Sequence, residues 1–249
     1  MIRIEKRILS PTAVNTYMAC PRKYYLRYIK RAPSKPSIHL IRGSIVHKTL
    51  HEFNIRCIRG PPITDAKAIK EFLIKTFNRL WQESKKSLDA LGLSQELLND
   101  YREDSEAMLI NFGNWFSRQE VPPIIESAEL KIFSDNLRCM GIIDAVKTND
   151  NGVFLIDYKT SKDYSITDDI TRQAILYCLL YQDRHDEIPI AVYIHFLKDP
   201  GDPVALFIDD AQLAYGKVLI DFIHEKTRSI NEADYPCSCG GRCEWDFTR

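Results

Sequence analysis

The sequence predicts an α/β protein with a mixed central sheet flanked by helices, followed by a cysteine-bearing C-terminal tail. Two observations lead to this prediction. As far as Gln119, apolar residues recur at the three- and four-residue spacing that is typical of helices. Beyond Pro122 and Pro123 the periodicity becomes two, and turn-forming residues separate the apolar runs. We expect one domain over residues 1–249.

Helical segments account for the first half of the chain. Ser10 followed by Pro11 is typical of a helix start, because serine caps a helix and proline suits its first turn. The predicted helices cover residues 10–18, 22–30, 41–59, 65–87 and 94–119. We interpret residues 62–120 as a helical insertion.

The second half carries the predicted sheet. Its strands cover residues 124–133, 137–147, 153–159, 190–197 and 204–208, and helices are predicted over 168–182 and 209–229. The run Asn149-Asp150-Asn151-Gly152 indicates a tight hairpin between the second and third strands.

Charge is unevenly distributed in a chain whose net charge is zero. Residues 1–60 contain thirteen Lys and Arg against two acidic residues, a local charge of +11. Tyr17, Tyr24, Tyr25 and Tyr28 lie among these cations, as on surfaces that bind nucleic acid. A solvated basic face with half-buried tyrosines is the alternative interpretation. No long apolar run and no signal-peptide pattern is present, so we expect a soluble, cytoplasmic protein.

Seven cysteines, an odd number, indicate reduced thiols or a metal site rather than a disulfide framework. Cys237, Cys239 and Cys243 lie close together, and Cys20 supplies a fourth soft ligand. Four such ligands suit an iron-sulfur cluster or a tetrahedral zinc ion, and free thiols are the remaining alternative. The other three cysteines lie in predicted regular elements and are interpreted as core residues.

The predicted hairpin brings two carboxylates and a lysine together. If its turn is symmetric, Asp144 lies opposite Asp157, with their Cβ atoms about 4.5–5.5 Å apart. Lys159 then points to the same face as Asp157. Two carboxylates this close favour a divalent cation between them, and Mg²⁺ suits such a site. Lys159 would orient an attacking water and offset charge on a phosphate. A solvent-facing hairpin is the alternative, but the apolar runs before both acids argue against it.

This arrangement resembles the core of the PD-(D/E)XK nuclease superfamily, with Asp144 as the first acid and Asp157-Tyr158-Lys159 as the (D/E)XK element. Gly43 and His47 resemble the Gly-x-x-x-His helix of its RecB-like branch. Gln173 and Tyr177 resemble that branch's Gln-x-x-x-Tyr helix, and the segment from Leu9 to Tyr24 resembles its start.

The resemblance implies a restriction-endonuclease-like core and a divalent-metal-dependent deoxyribonuclease. In the family, the residues that match His47, Asp144, Asp157 and the backbone carbonyl of Tyr158 hold Mg²⁺ or Mn²⁺. The residue that matches Lys159 positions the water, and those that match Gln173 and Tyr177 contact DNA and support the site. Glu129, on the preceding strand, is either a further site residue or a surface acid.

The cysteines resemble those of the AddB-type and CRISPR adaptation nucleases. One cysteine near the start and three near the end of those proteins enclose an iron-sulfur cluster, which implies a four-iron, four-sulfur cluster held by Cys20, Cys237, Cys239 and Cys243. The spacing C-x-C-x3-C departs from the family's usual pattern, so zinc stays an alternative.

The resemblance further implies exonuclease action on single-stranded DNA or DNA ends. The implied partners are a CRISPR integrase complex, or a helicase or other protein of repair and recombination. A catalytically silent subunit that binds DNA or acts as a scaffold is the alternative function.

Overall fold

Helices cover both faces of a central sheet in the computed structural model, which describes residues 7–33, 36–61, 63–119 and 124–241. The helices are α1 (Pro11–Ala19), α2 (Pro21–Tyr24), α3 (Ile38–Arg59), α4 (Ala66–Glu83), α5 (Lys85–Asp89), α6 (Gln95–Ser117), α7 (Asp168–His185) and α8 (Asp210–Lys226). A π-helical turn, Tyr25–Ile29, follows α2, and a 3₁₀ turn, Glu232–Asp234, follows α8. No helix in these ranges is long and apolar enough to cross a membrane.

The sheet is mixed and its strands lie in sequence order. They are β1 (Ile124–Ser134), β2 (Cys139–Asn149), β3 (Gly152–Lys159), β4 (Ala191–Phe196) and β5 (Val204–Leu206). β3 and β4 run parallel, because α7 crosses between them, and the other neighbours are antiparallel. The structure therefore confirms the predicted mixed sheet flanked by helices.

Each face of the sheet buries its own apolar layer. On one face, α1, α7 and α8 pack on strand residues such as Leu155 and Val192. On the other, α3, α4 and α6 pack on Ala145 and Ile156. The helices of residues 62–120 thus share a core with α3 and the sheet.

Two of the predicted helices differ from the structure. The segment 22–30 is a short α-helix that widens into a π turn, in which the Lys30 amide donates to the Tyr25 carbonyl at 2.9 Å. The segment 65–87 divides into α4 and α5 at Ser84. Capping at the start of α1 is as predicted, because the Ser10 hydroxyl accepts from the Ala13 amide at 3.1 Å.

The N-terminal tyrosines pack against one another. Tyr17 and Tyr24 are 8% and 2% exposed, and their rings meet edge to face at 5.6 Å. Tyr24 also stacks with Tyr235 at 6.4 Å, and Tyr28 lies against Tyr24 at 4.9 Å. This aromatic cluster joins the N-terminal helices to the segment after α8, which favours the packing interpretation of these tyrosines.

Candidate active site

The hairpin register agrees with the prediction. Asn149 pairs with Gly152, and the pairing continues to Ala145 with Ile156, so the next position in this register holds Asp144 and Asp157. The ladder ends before that position, and the Asp144 carboxylate instead accepts a hydrogen bond from the Tyr158 amide at 2.8 Å. The pairing of β1 with β2 also omits Asp144, and Glu129, which lies at the corresponding position of β1, has a left-handed backbone with φ 48°. Asp144 therefore lies at a local irregularity of the sheet.

Asp157 is a buried carboxylate beside a lysine. Its side chain is 6% exposed and forms an ion pair with Lys159, two residues further along β3. Burial raises the pKa of Asp157, the Lys159 ammonium opposes this change, and the charge of Asp144 adds to it. The two carboxylates and the lysine thus form one electrostatic unit.

Helix α7 contacts Lys159 through the side chain of Gln173. Lys159 Nζ donates to Gln173 Oε1 at 2.7 Å, and Gln173 Nε2 donates to the Tyr177 hydroxyl at 2.8 Å. Burial raises the pKa of Tyr177 well above its usual value, so its hydroxyl stays protonated. Gly141 of β2 leaves room for the ring of Tyr177, since a Cβ at this position would lie 3.3 Å from Tyr177 Cε1. The structure therefore brings Gln173 and Tyr177 to Lys159.

Helix α3 supplies a histidine from the other side. His47 Nδ1 lies 3.0 Å from Asp144 Oδ1. Burial lowers the pKa of His47, but the charge and hydrogen bond of Asp144 outweigh that effect, and the net shift is upward. One turn later, His51 Nδ1 lies 3.9 Å from Glu129 Oε2, which places Glu129 on the His51 side of the site.

Arg42, one of the basic residues counted in the segment 1–60, lies near this site instead of on a basic surface. Its side chain is buried, pairs with Asp104 of α6, and donates to the Thr160 carbonyl at 3.3 Å. Lys198 Nζ lies 2.6 Å from the other Asp104 oxygen. These contacts fix the chain directly after Lys159. They join four segments that are distant in sequence, so no local sequence signal could have indicated them.

Three predicted cysteine ligands lie together at the junction of α1 and α2. The Sγ atoms of Cys20, Cys237 and Cys239 lie within 4.8 Å of one another. Cys20 is buried, and hydrogen bonds from Lys23, Ser238 and Cys239 lower its pKa to about 6 against the raising effect of burial. Cys243 lies outside the described residues. Cys20 therefore offers thiolate character where a soft metal ion needs it, beside the sulfur atoms of Cys237 and Cys239.

The cysteines and the acidic site differ in how closely their ligand atoms converge. In the described part of the chain, the cysteine trio is the one group that brings three potential His, Cys, Asp or Glu ligand atoms within 4.8 Å. Asp144 is turned toward His47 and the Tyr158 amide, and Asp157 toward Lys159.

An α/β fold with a buried Asp-Lys pair, a second carboxylate and a supporting glutamine is the arrangement expected of a nuclease. The family model of the PD-(D/E)XK nuclease superfamily matches residues 8–245. The chain belongs to this superfamily, as its motifs predicted.

Comparison with solved structures supports the same fold. A crystal structure from Eubacterium rectale, described as that of a candidate exonuclease, superposes with a TM-score of 0.55 at 11% sequence identity. The match covers 93% of this chain and 84% of that one. No curated protein is similar enough in sequence to count as a match.

Proposed function

We propose that this protein is a divalent-metal-dependent deoxyribonuclease that acts as an exonuclease on single-stranded DNA or DNA ends. The observation that carries the proposal is the placement of Lys159 between Asp157 and Gln173, with Asp144 on the adjacent strand. The Eubacterium rectale protein, described as a candidate exonuclease, has a similar fold and is consistent with the proposal.

The donor set fits a hard divalent cation. Asp157 is buried and pairs with Lys159, whereas the ion-pair partner of Asp144 among the described residues is the His47 imidazole, so the two carboxylates share one permanent positive charge. Asp144, Asp157, His47 and the carbonyl of Tyr158 would hold Mg²⁺ or Mn²⁺. When bound, such an ion supplies an activated water and neutralises charge on the phosphate.

The chain's own residues would position and stabilise the reacting groups. The Lys159 ammonium would face the phosphate oxygens and stabilise their increasing negative charge. Gln173 holds that ammonium at 2.7 Å, and the Tyr177 hydroxyl fixes the orientation of Gln173 at 2.8 Å. The Asp144 carboxylate, held by the Tyr158 amide and His47, is kept close to the Lys159 end of β3.

Cleavage of end-labelled linear and closed circular single-stranded DNA tests this function. The wild type is compared with Lys159→Ala in Mg²⁺, Mn²⁺ or EDTA, and Lys131→Ala, an exposed lysine of the edge strand β1, is the matched control. We expect metal-dependent loss of the linear strand, sparing of the circle, and about a 100-fold slower rate for Lys159→Ala alone. DNA binding without cleavage by a metal-replete wild type would instead support the DNA-binding or scaffolding alternative.

We also propose that the cysteine group holds an iron-sulfur cluster, with zinc as the alternative. The three converging thiols, with Cys243 as the fourth ligand, suit either metal. Elemental analysis and visible absorption distinguish the two. Cys239→Ala should lose the metal and lower the melting temperature, because metal affinity adds to folding free energy. Cys57→Ala, a cysteine of α3, should keep both properties. Full metal content and stability in Cys239→Ala would refute the assignment.

The cellular setting that we propose follows from the same resemblance. The nuclease would process DNA ends in the cytoplasm, either beside a CRISPR integrase or with a helicase or recombination partner. The genes next to its own gene distinguish these settings.

A further inference from the structure

Two cavities meet at Gln173, beside the catalytic lysine. The helix-side cavity, about 330 Å³, lies between α1, α2 and α7 and is lined by residues that include Asn15 and Lys23. The loop-side cavity, about 300 Å³, lies under residues 161–167 and is lined by Lys159 and Asp163 among others. Gln173 and Asp169 line both cavities, so the cavities adjoin at these two side chains beside the site, and we refer to the two together as the groove.

The helix-side cavity is the cationic arm of this groove. Lys23 lines it and has no ion-pair partner in the described part of the chain. Asp169 lines it too, but this carboxylate pairs with Arg172. Arg172 Nε in turn donates to Asn15 Oδ1 at 3.0 Å, and Asn15 Nδ2 donates to the Asp169 carbonyl at 2.8 Å. Arg172 therefore neutralises Asp169, and Lys23 gives this arm a net positive charge, which favours a phosphate.

The loop-side cavity is the acidic arm. The Asp163 carboxylate accepts from the Ser165 amide at 2.9 Å, and hydrogen bonds with Ser165 lower its pKa, so it is ionised at neutral pH. Lys159 is the one cation among the residues that line this arm, and it is already paired with Asp157. The Ser161 hydroxyl donates to the Asp163 carbonyl at 2.9 Å, which stabilises the conformation of this loop.

We propose that a DNA strand reaches the site across the helix-side cavity, with a phosphate on Lys23, and that its terminal nucleoside occupies the loop-side cavity. This inference rests on the proposed nuclease function and explains how ends would be selected. A phosphate beyond the terminal nucleoside would face Asp163, and like charges at close range repel. About 300 Å³ is the lower limit of small-molecule sites, which suits one nucleoside rather than a continuing strand.

Binding in EDTA tests the first half of the path without any cleavage. Fluorescein-labelled dT12 is titrated by anisotropy at several salt concentrations. Lys23→Gln should weaken binding about 3- to 10-fold and reduce the slope of log affinity against log salt by about 0.7, the value for one phosphate contact on a single strand. Lys70→Gln, the same change on an exposed position of α4, should behave as the wild type. An unchanged affinity and slope in Lys23→Gln would refute this path.

Cleavage tests the second half. Asp163→Asn keeps an oxygen acceptor for the Ser165 amide and removes the charge. The rate on closed circular DNA, relative to linear DNA, should rise about 3- to 10-fold, whereas Asp100→Asn on α6 should leave the ratio unchanged. An unchanged ratio in Asp163→Asn would overturn the end-selection role. If the wild type cleaves no DNA, the proposed function fails, and binding in EDTA still decides whether the strand follows Lys23.

Discussion

Replacing Arg42 by methionine should destabilise the protein more than replacing a surface arginine. Arg42 is 3% exposed, and its guanidinium has two kinds of partner, the Asp104 carboxylate and the Thr160 carbonyl. Methionine keeps much of the apolar stem and removes both contacts. Asp104 is then left with Lys198 as its remaining ion-pair partner among the described residues.

The size of the effect follows from this burial. Breaking a fully buried ion pair costs about 3–5 kcal/mol, because the remaining charge is left without its partner. The Asp104 side chain is 34% exposed and keeps Lys198, which reduces the cost to about 2–3 kcal/mol. In a chain of this size each kcal/mol lowers the melting temperature by about 2–4 °C, so a fall of about 4–12 °C is expected.

Urea unfolding of Arg42→Met, Asp104→Asn and the double variant measures this free energy. The double-mutant cycle should give a coupling of at least about 1 kcal/mol, since the two side chains are in contact. Arg79→Met is the control, because Arg79 forms ion pairs with Glu52 and Glu83 on the surface. If Arg42→Met and Arg79→Met lower the stability equally, the buried network does not stabilise the fold as reasoned.

Three further predictions concern the site and the core. Tyr177→Phe removes the acceptor of Gln173 Nε2 and should lower kcat about 10-fold with KM unchanged; an unaltered single-turnover rate would show that Gln173 needs no such support. Gly216→Ala should cost about 1–3 kcal/mol in urea unfolding, because its Cβ would lie 2.6 Å from Ile175 Cγ2 of α7, and an unchanged midpoint would contradict the tight packing of α8. Burial and the charge of Lys147 lower the pKa of His195 to about 4, although Asp199 has the opposite effect. As the pH decreases, this histidine therefore becomes protonated in the unfolded chain before it does in the folded protein. Stability should fall by up to about 3 kcal/mol as the pH decreases from about 6.5 to 4, and His195→Leu should remove this part of the loss; equal acid sensitivity in both proteins would refute the assignment.

The sequence was most informative where short-range geometry decides the structure. The four-residue turn from Asn149 to Gly152 determines which residues of β2 and β3 are opposite, and the register followed from it directly. The spacing of Gln173 and Tyr177 likewise placed both on one helix face, and in the structure they are hydrogen-bonded. Local periodicity is sufficient for such relations because the backbone alone sets them.

The sequence was least informative where distant segments meet. Asp144 lies opposite the left-handed backbone of Glu129 in the neighbouring strand, at an interruption of the pairing that no pattern within β2 indicates. The excess of positive charge in residues 1–60 also led to an overestimate of the exposed basic surface. Arg42 is buried inside the fold, and Arg22 forms an ion pair with Glu232 at 2.7 Å. Charge counts along a sequence do not reveal which side chains are already neutralised by the fold.

The hydrogen bonds that join Ser238 to Ala19 and Cys20 can form only after the ribosome has added Ser238. Ser238 donates to the Ala19 carbonyl and to Cys20 Sγ across 219 and 218 positions of sequence, and Ala19 lines the helix-side cavity. At about 5–20 residues per second, the ribosome adds Ser238 about 10–40 seconds after Cys20. Asp144, Asp157, Lys159 and Gln173 are all synthesised in that interval. A nascent chain therefore carries the side chains of the candidate active site before it has the contacts that secure one wall of the helix-side cavity.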